Sequence, residues 1–389
     1  MAQGLQEAVI VEAVRTPVGR GHREKGIFRD VHPAVLLGGC YSALFARSGV
    51  DPETVDHAIC GCVYQIAEQS AGITRNAWLQ EGLPERTAAT TVDVRCGSGQ
   101  QAVNLAALRI ATGVDDVVVA GGVEHMGRVG FPVNLGAQEQ WGQAFTPQLL
   151  ERYALVPQGE GAELIADRWG ISREEMDALS AESHRRAAAA TDSGAFAREL
   201  LPTVGSGATQ TADQGIRPST TPEILAGLKP AFRPDGRVTA GNSSQISDGA
   251  AALLLTSAAK ARALGVRPRA RIVDQVVLGV DPITMLTGPI PATAKILERN
   301  GLTIGDLDAI EINEAFASVV LAWEREHRPD MARVNPRGGA IAIGHPLGST
   351  GARLITTLLH ELEDLDGELG LVTMCCAGGI GTATLIQRL

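Results

Sequence analysis

A stretch near the amino terminus returns later in the chain, and that recurrence constrains the fold of these 389 residues more than any other feature. Ser48-Gly-Val-Asp-Pro-Glu-Thr-Val-Asp-His-Ala-Ile-Cys60 comes back 252 positions on as Asn300-Gly-Leu-Thr-Ile-Gly-Asp-Leu-Asp-Ala-Ile-Glu-Ile312. Gly49 matches Gly301, Val55 matches Leu307 and Asp56 matches Asp308. The surroundings match as well. A buried strand over Ala8 to Ala13 and a helix over Pro33 to Ala46 precede the first copy. A strand over Ala270 to Asp274 and a helix from about Ala292 to Arg299 precede the second. Further on, Cys96-Gly-Ser-Gly before a helix and a strand over Val117 to Ala120 correspond to His345-Pro-Leu-Gly-Ser-Thr-Gly before a helix (352 to 362) and a strand (369 to 374). Strands alternating with helices, written twice, describe a duplicated α/β unit.

The region from about His125 to Gln245 interrupts the repeat. It opens with a Pro-, Gln- and Gly-containing stretch (Phe131 to Gly161). It then turns helical at Ser172-Arg-Glu-Glu175, a capping box for a helix to about Ala190. The expected organisation is therefore an amino-terminal half (1–124 plus 248–269), an inserted loop or lid domain (125–247) and a carboxyl-terminal half (270–389).

Reactive chemistry concentrates first at Thr91 to Ile110. A β-branched run ends at Arg95, Cys96 follows, two glycines make a turn, and from Gln100 the apolar residues take helical spacing almost all round, Leu105 and Leu108 included. Cys96 thus falls near the positive end of a buried helix, where free N–H groups and the helix dipole favour a thiolate. Two other readings stand beside this one. A cysteine in an apolar chain also serves as a small buried hydrophobe. Gly97-x-Gly99-x-x-Ala102 also fits a dinucleotide fingerprint, which would make the chain an NAD-dependent oxidoreductase. That fingerprint wants a carboxylate closing the next strand, whereas Asp115 and Asp116 open it.

The formal charge of −10 and the lack of a long basic run argue against nucleic acid or an anionic membrane as partner. No segment has the length and apolarity of a membrane span or a signal peptide, so a soluble cytoplasmic protein is expected. Six cysteines (40, 60, 62, 96, 375, 376) are too few for a disulfide scaffold and suit a reducing compartment. Cys60-x-Cys62 lacks a second ligand pair nearby, so no metal site is expected. An anionic ligand would need a local positive patch. Arg217, Lys229, Arg233 and Arg237, against Glu223 and Asp235, supply one; it reads either as a solvated surface or as a seat for phosphates.

Three later stretches carry polar groups at turns. Asn313 ends a strand in Glu311-Ile-Asn-Glu-Ala-Phe316. His345 stands among glycines at a helix start. Cys375 ends a strand in Met374-Cys-Cys-Ala-Gly-Gly-Ile-Gly381. Taken alone, each also reads as a cap or a tight turn.

Together with Gly121-Gly-Val-Glu-His-Met126 and Gly241-Asn-Ser-Ser-Gln-Ile-Ser-Asp-Gly249, these motifs resemble the thiolases, acetyl-CoA C-acyltransferases, over essentially the whole chain. The resemblance implies the duplicated five-layered fold of that family. It implies that Cys96 carries the acyl group, that His345 takes its proton, that Cys375 is the second acid/base and that Asn313 orients a water. The backbone N–H groups of Cys96 and Ala377 would form an oxyanion hole, with Ala377 where relatives often have glycine. Arg217, Ser244, Ala315 and Phe316 would contact coenzyme A and line its tunnel. In the lid, Pro157-Gln158-Gly159 replaces the His-Met of small-substrate biosynthetic members. The wording around Ser244 and Phe316 is nearer to degradative members acting on fatty or steroid-derived chains. The implied reaction is thiolysis of a 3-ketoacyl-CoA to acetyl-CoA or propionyl-CoA and a shortened acyl-CoA, or the reverse condensation. Coenzyme A is a substrate, with no tightly bound cofactor, and the assembly is a homodimer or homotetramer. A non-catalytic acyl-CoA- or lipid-binding protein on the same scaffold is the alternative.

Overall fold

A computed structural model describes residues 5–389; Met1 to Gly4, the start of the segment assigned to the amino-terminal half, lie outside the described residues. Strands β1 (Ala8–Arg15) and β2 (Gly19–Arg20) precede helix α1 (Pro33–Ser48); then come β3 (His57–Gly61), α2 (Ile73–Gln80), β4 (Ala88–Val92), α3 (Ser98–Ala111) and β5 (Val117–His125). A mainly helical stretch follows: α4 (Phe131–Trp141), α5 (Pro147–Arg152), α6 (Gln158–Arg168), α7 (Arg173–Asp192), the hairpin β6 (Thr203–Gly205) and β7 (Ala208–Gln210), and α8 (Pro222–Ala226). The chain continues through β8 (Ser247–Ser257), α9 (Ala258–Leu264), β9 (Ala270–Gly279), α10 (Pro289–Asn300), β10 (Ala309–Ile312) and α11 (Ala317–His327). It ends with α12 (Leu347–Leu365), β11 (Leu369–Cys376) and β12 (Ile380–Arg388).

Two half-sheets of matching order account for the repeat: β4-β3-β5-β8-β1 and β10-β11-β12-β9. β3 runs parallel to β5 as β10 does to β11, and the next two pairings in each half are antiparallel. The halves join where Val9 and Ile10 of β1 face Arg271 and Ala270 of β9. The matched residues do the same job in each copy. Gly49 and Gly301 end α1 and α10 in left-handed geometry, at φ 69° and 65°, which favours glycine. Asp56 Oδ2 accepts the N–H groups of Asp116 and Val117 at 2.8 and 3.1 Å, and Asp308 Oδ2 those of Glu368 and Leu369 at 2.7 and 3.0 Å. Each aspartate thereby pairs donors that would otherwise go unsatisfied at the start of the neighbouring strand.

Between the half-sheets lie α3 and α12. Val103, Ala106, Leu354 and Leu358 share a core with Ile10, Ile59, Val118 and Leu253 of one half-sheet and Val372, Met374 and Ile386 of the other. α1 and α2 cover the outer face of the first, through Leu36, Tyr41 and Trp78; α10 and α11 cover the second, through Ile296 and Trp323. The order helix, sheet, helix pair, sheet, helix makes five layers.

At one end of this stack the layers meet backbone to backbone. A Cβ on Gly61 or Gly122 would overlap the Gly348 carbonyl, and one on Gly351 would overlap the backbone of Gln100. Glu124, fully buried, accepts the N–H groups of Val63, Tyr64 and Gly348 at 2.9, 3.1 and 2.9 Å, tying the end of β3 and the first turn of α12 to β5.

Some boundaries differ from the sequence pattern. The strand expected to reach Arg95 ends at Val92, and α3 begins at Ser98, ahead of Gln100. Leu108 is 48% exposed, so α3 keeps one edge toward solvent. Residues 131–161, read as a Pro-, Gln- and Gly-containing stretch ahead of the helical part, already hold α4, α5 and the start of α6; Pro147 and Pro157 stand at helix starts and Gly142 at a helix end, while Gly136 is accommodated inside α4.

Candidate active site

The two reactive positions singled out in the repeats are built alike. Arg95 sits at φ 51° immediately before Cys96, and Gly344 at φ 118° immediately before His345. In each copy a helix begins two residues later, α3 at Ser98 and α12 at Leu347. A left-handed arginine costs about 1 kcal/mol or more, so its presence beside Cys96 means that surrounding contacts impose the turn.

Cys96 is 3% exposed. The thiolate expected at this helix N-terminus is not its resting state: burial pushes the thiol up to about 11. Backbone N–H groups of Ala377 and Cys96, the Gln158 side chain and Arg95 all oppose that rise without cancelling it. Desolvation of a buried thiolate outweighs one helix dipole. Cys375, the penultimate residue of β11, is also fully buried; burial raises its thiol first, and Cys96 raises it further. Cys376 lies under the turn, since a Cβ on Gly97 would come within 2.7 Å of its sulfur. Cys96 from one half thus meets Cys375 and Ala377 from the other.

His345 is clamped on both ring nitrogens. Thr350 Oγ1 donates to the Pro346 carbonyl at 2.8 Å, so its contact with His345 Nδ1 at 2.7 Å requires Nδ1–H to be the donor. That leaves Nε2 unprotonated, facing Asn313 Nδ2 at 3.5 Å. Burial pushes the imidazole down to about 3, helped by the charge of Arg353. The ring therefore rests neutral with its basic lone pair on the Asn313 side. Asn313 stands at the end of β10, and its N–H donates to Thr373 of the neighbouring β11, two residues before Cys375.

The coenzyme A candidates divide into two groups. Ser244 N–H donates to the Ala315 carbonyl at 2.9 Å, and Ser243 bridges Phe316, so Ser244, Ala315 and Phe316 stand together. Ala315 and Phe316 belong to the same apolar cluster as Cys375, with Ala377 packed against it. Arg217 lies apart and exposed; its N–H donates to His184 Nδ1, and among the described residues no carboxylate pairs with its guanidinium. Gln245 connects the groups, donating from Nε2 to Gly215 and Ile341 while its carbonyl accepts the His345 N–H at 3.2 Å. The wider basic patch does not hold as a phosphate seat. Arg233 pairs with Glu160 and Asp167, and Arg237 with Asp167, which leaves Arg217 and Lys229.

The sequence pattern did not mark Thr350, Gln245 or the contact of Gln158 with Cys96. Thr350 was readable in principle: it lies on the first turn of the helix that His345 precedes, within reach of the ring. Gln158 and Gln245 carry no such local signal, because folding alone brings them in.

A pH dependence follows from the raised thiol. Alkylation of Cys96 by iodoacetamide is expected to climb about tenfold per pH unit from pH 7 to 10 without a plateau, because thiolate remains the minor form throughout. Peptide mass spectrometry of Cys96 across that range checks this; a plateau near pH 7 would place the thiol well below its ordinary value.

Comparisons with known proteins bear on the chain as a whole. Residues 8–259 match the family model described as thiolase, N-terminal domain, and residues 266–388 the one described as thiolase, C-terminal domain. The chain is similar to a steroid 3-ketoacyl-CoA thiolase of Mycobacterium tuberculosis, 46% identical over 99% of this chain and 95% of that one. It is similar to a 3-ketoacyl-CoA thiolase of Shewanella denitrificans, 45% identical over 99% and 100%. The crystal structure of the Bacillus anthracis acetyl-CoA acetyltransferase superposes with a TM-score of 0.91 at 39% identity, covering 99% of this chain and 100% of that one.

Proposed function

The chain belongs to the thiolase family and is an acyltransferase, and from that premise we propose that it works on 3-ketoacyl-CoA through an acyl group held on Cys96. It cleaves the substrate with free coenzyme A into acetyl-CoA or propionyl-CoA and a shortened acyl-CoA, or runs the reverse Claisen condensation. The observation that carries this reading is the buried meeting of Cys96 with Cys375 and Ala377, from opposite repeats.

The chemistry needs a nucleophile and a separate proton carrier. In the cleavage direction His345 Nε2 takes the Cys96 proton and the sulfur attacks the 3-keto carbon. The bond between C2 and C3 then breaks, the electron pair passes to C2, and the Cys375 thiol protonates it, leaving acyl-Cys96 and acetyl-CoA. Coenzyme A gives its thiol proton to the Cys375 thiolate and attacks the acyl group, and His345 returns its proton to Cys96. Asn313 orients a water that, with His345, stabilises the enolate oxygen. The N–H groups of Cys96 and Ala377 face the acyl oxygen of the tetrahedral intermediate. The raised pKa of Cys375 suits it to give a proton to carbon and take one from coenzyme A, and Cys96 and Cys375 both begin as neutral thiols.

The segment 125–247 serves as lid, with Arg217 at the nucleotide end of coenzyme A and Ser244, Ala315 and Phe316 along its arm. The expected role is β-oxidation of fatty or steroid-derived chains, in the cytoplasm, as a homodimer or homotetramer. All six cysteines are free, as a reducing compartment maintains them, and among the described residues no helix is long and apolar enough to cross a membrane. Turnover of acetoacetyl-CoA, longer straight-chain 3-ketoacyl-CoAs and a steroid-type 3-ketoacyl-CoA with free coenzyme A, followed as loss of enolate absorbance, tests the reading. A folded sample that turns over none of them overturns it.

A further inference from the structure

Glu314 lies between two residues with assigned roles, Asn313 and Ala315, and has none itself. Its carboxylate is 3% exposed and gathers three donors from separate parts of the chain. Oε2 accepts the Ser183 hydroxyl of α7 at 2.7 Å and the Ile341 N–H at 3.1 Å; Oε1 accepts Asn335 Nδ2 at 2.9 Å. Ser183 Oγ in turn accepts the Gly339 N–H at 3.0 Å. Asn335 cannot turn its amide, because it also accepts the Ile312 N–H at 2.8 Å and donates to the Ile312 carbonyl at 3.0 Å. One buried carboxylate therefore binds the segment 335–341, which runs directly into Gly344 and His345, to the residue adjoining Asn313. A Cβ on Gly339 would overlap that carboxylate, so the segment passes as close as its backbone allows.

We propose that Glu314 is a positioning residue for His345: it sets the approach of the loop that carries the imidazole to the strand end that carries Asn313. The pair stands at 3.5 Å, the outer limit of a hydrogen bond, so a small retreat of the loop breaks it. Misplacement of a base by a fraction of an ångström slows proton transfer without altering the surfaces that bind coenzyme A. The inference rests on His345 being the base that readies Cys96.

Glu314→Gln tests it at almost constant volume. With Asn335 locked and Ile341 offering only N–H, the new amide must turn a donor toward a donor at one end. The full-length variant is compared with the parent for kcat, KM and the single-turnover rate of Cys96 acylation by acetyl-CoA, each normalised to acylatable sites counted by intact mass. The expected result is a loss of about tenfold or more in kcat and in acylation rate, with KM within about twofold. A role in folding alone would lower the number of acylatable sites and leave the rate per site unchanged, and that result overturns the proposal. If Glu314→Gln does not fold, Ser183→Ala, which removes one hydroxyl from the same clamp, decides on the same criterion with a smaller loss expected. Should the parent itself form no acyl-Cys96, the thiolase reading falls and this one with it. A parent that acylates beside a variant matching it per site overturns the role of Glu314 alone.

Discussion

Cys96→Ala is expected to take up no acyl group from acetyl-CoA or acetoacetyl-CoA, and to lose at least about 10⁴-fold in kcat, since removal of a covalent nucleophile leaves only binding and oxyanion stabilisation. The substitution removes one buried sulfur from a position whose neighbours are Ala377, Gln158 and the two sulfurs of Cys375 and Cys376. The fold should tolerate that, because the turn is held from elsewhere: by Gly97 over Cys376 and by Ser98 Oγ accepting the Val94 N–H at 2.9 Å. Intact-protein mass spectrometry after incubation with acyl-CoA reads the result directly. An adduct that persists in Cys96→Ala, or that maps to Cys375 or Cys376 in the parent, would remove Cys96 from the centre of the mechanism. Three buried thiols so close together make that a demanding control, and a thiol resting near pKa 11 gains its reactivity only with a base at hand.

The duplicated architecture was legible because its markers are local. Gly49 and Gly301 end helices in a conformation that favours glycine, and Asp56 and Asp308 each pair the backbone of one neighbouring strand, so the same physics selected the same residues twice. That Cys96, His345 and Cys375 stand at glycine-rich turns was legible for a related reason, since such turns are written in local sequence; the roles proposed for them came only with the resemblance to a family. What the sequence pattern did not carry was the balance between opposing long-range terms. A helix N-terminus beside Cys96 suggested a thiolate, yet the depth of burial that reverses the sign depends on layers far apart in sequence. The four basic residues from Arg217 to Arg237 summed to a positive patch, and only the fold shows that Glu160 and Asp167 of α6 neutralise Arg233 and Arg237. Glu314 was hidden by the same limit, since Ser183, Asn335 and Ile341 reach it from three different segments.

Cys375→Ser should separate the two half-reactions that Cys96→Ala removes together. Acylation of Cys96 by acetyl-CoA is a thiol exchange that asks for His345 Nε2 and the N–H groups of Cys96 and Ala377, none of which the substitution touches. The acyl adduct is therefore expected to form at close to the parental rate. Carbon chemistry is different. A serine hydroxyl is similar in size to the thiol but a far weaker acid, and burial in the apolar cluster with Ala315 and Phe316 weakens it further. Condensation and thiolysis are expected to fall by about 10²–10⁴-fold, the range associated with loss of a general acid or base. Exchange of solvent deuterium into the methyl group of acetyl-CoA, which reports proton removal from carbon without needing a second acyl group, should fall with them. If exchange continues in Cys375→Ser while turnover stops, the proton on carbon is moved by another group, and His345, the other base at the site, becomes the candidate. If acylation stops as well, the two sulfurs act as one unit and the division of labour between the repeats is wrong.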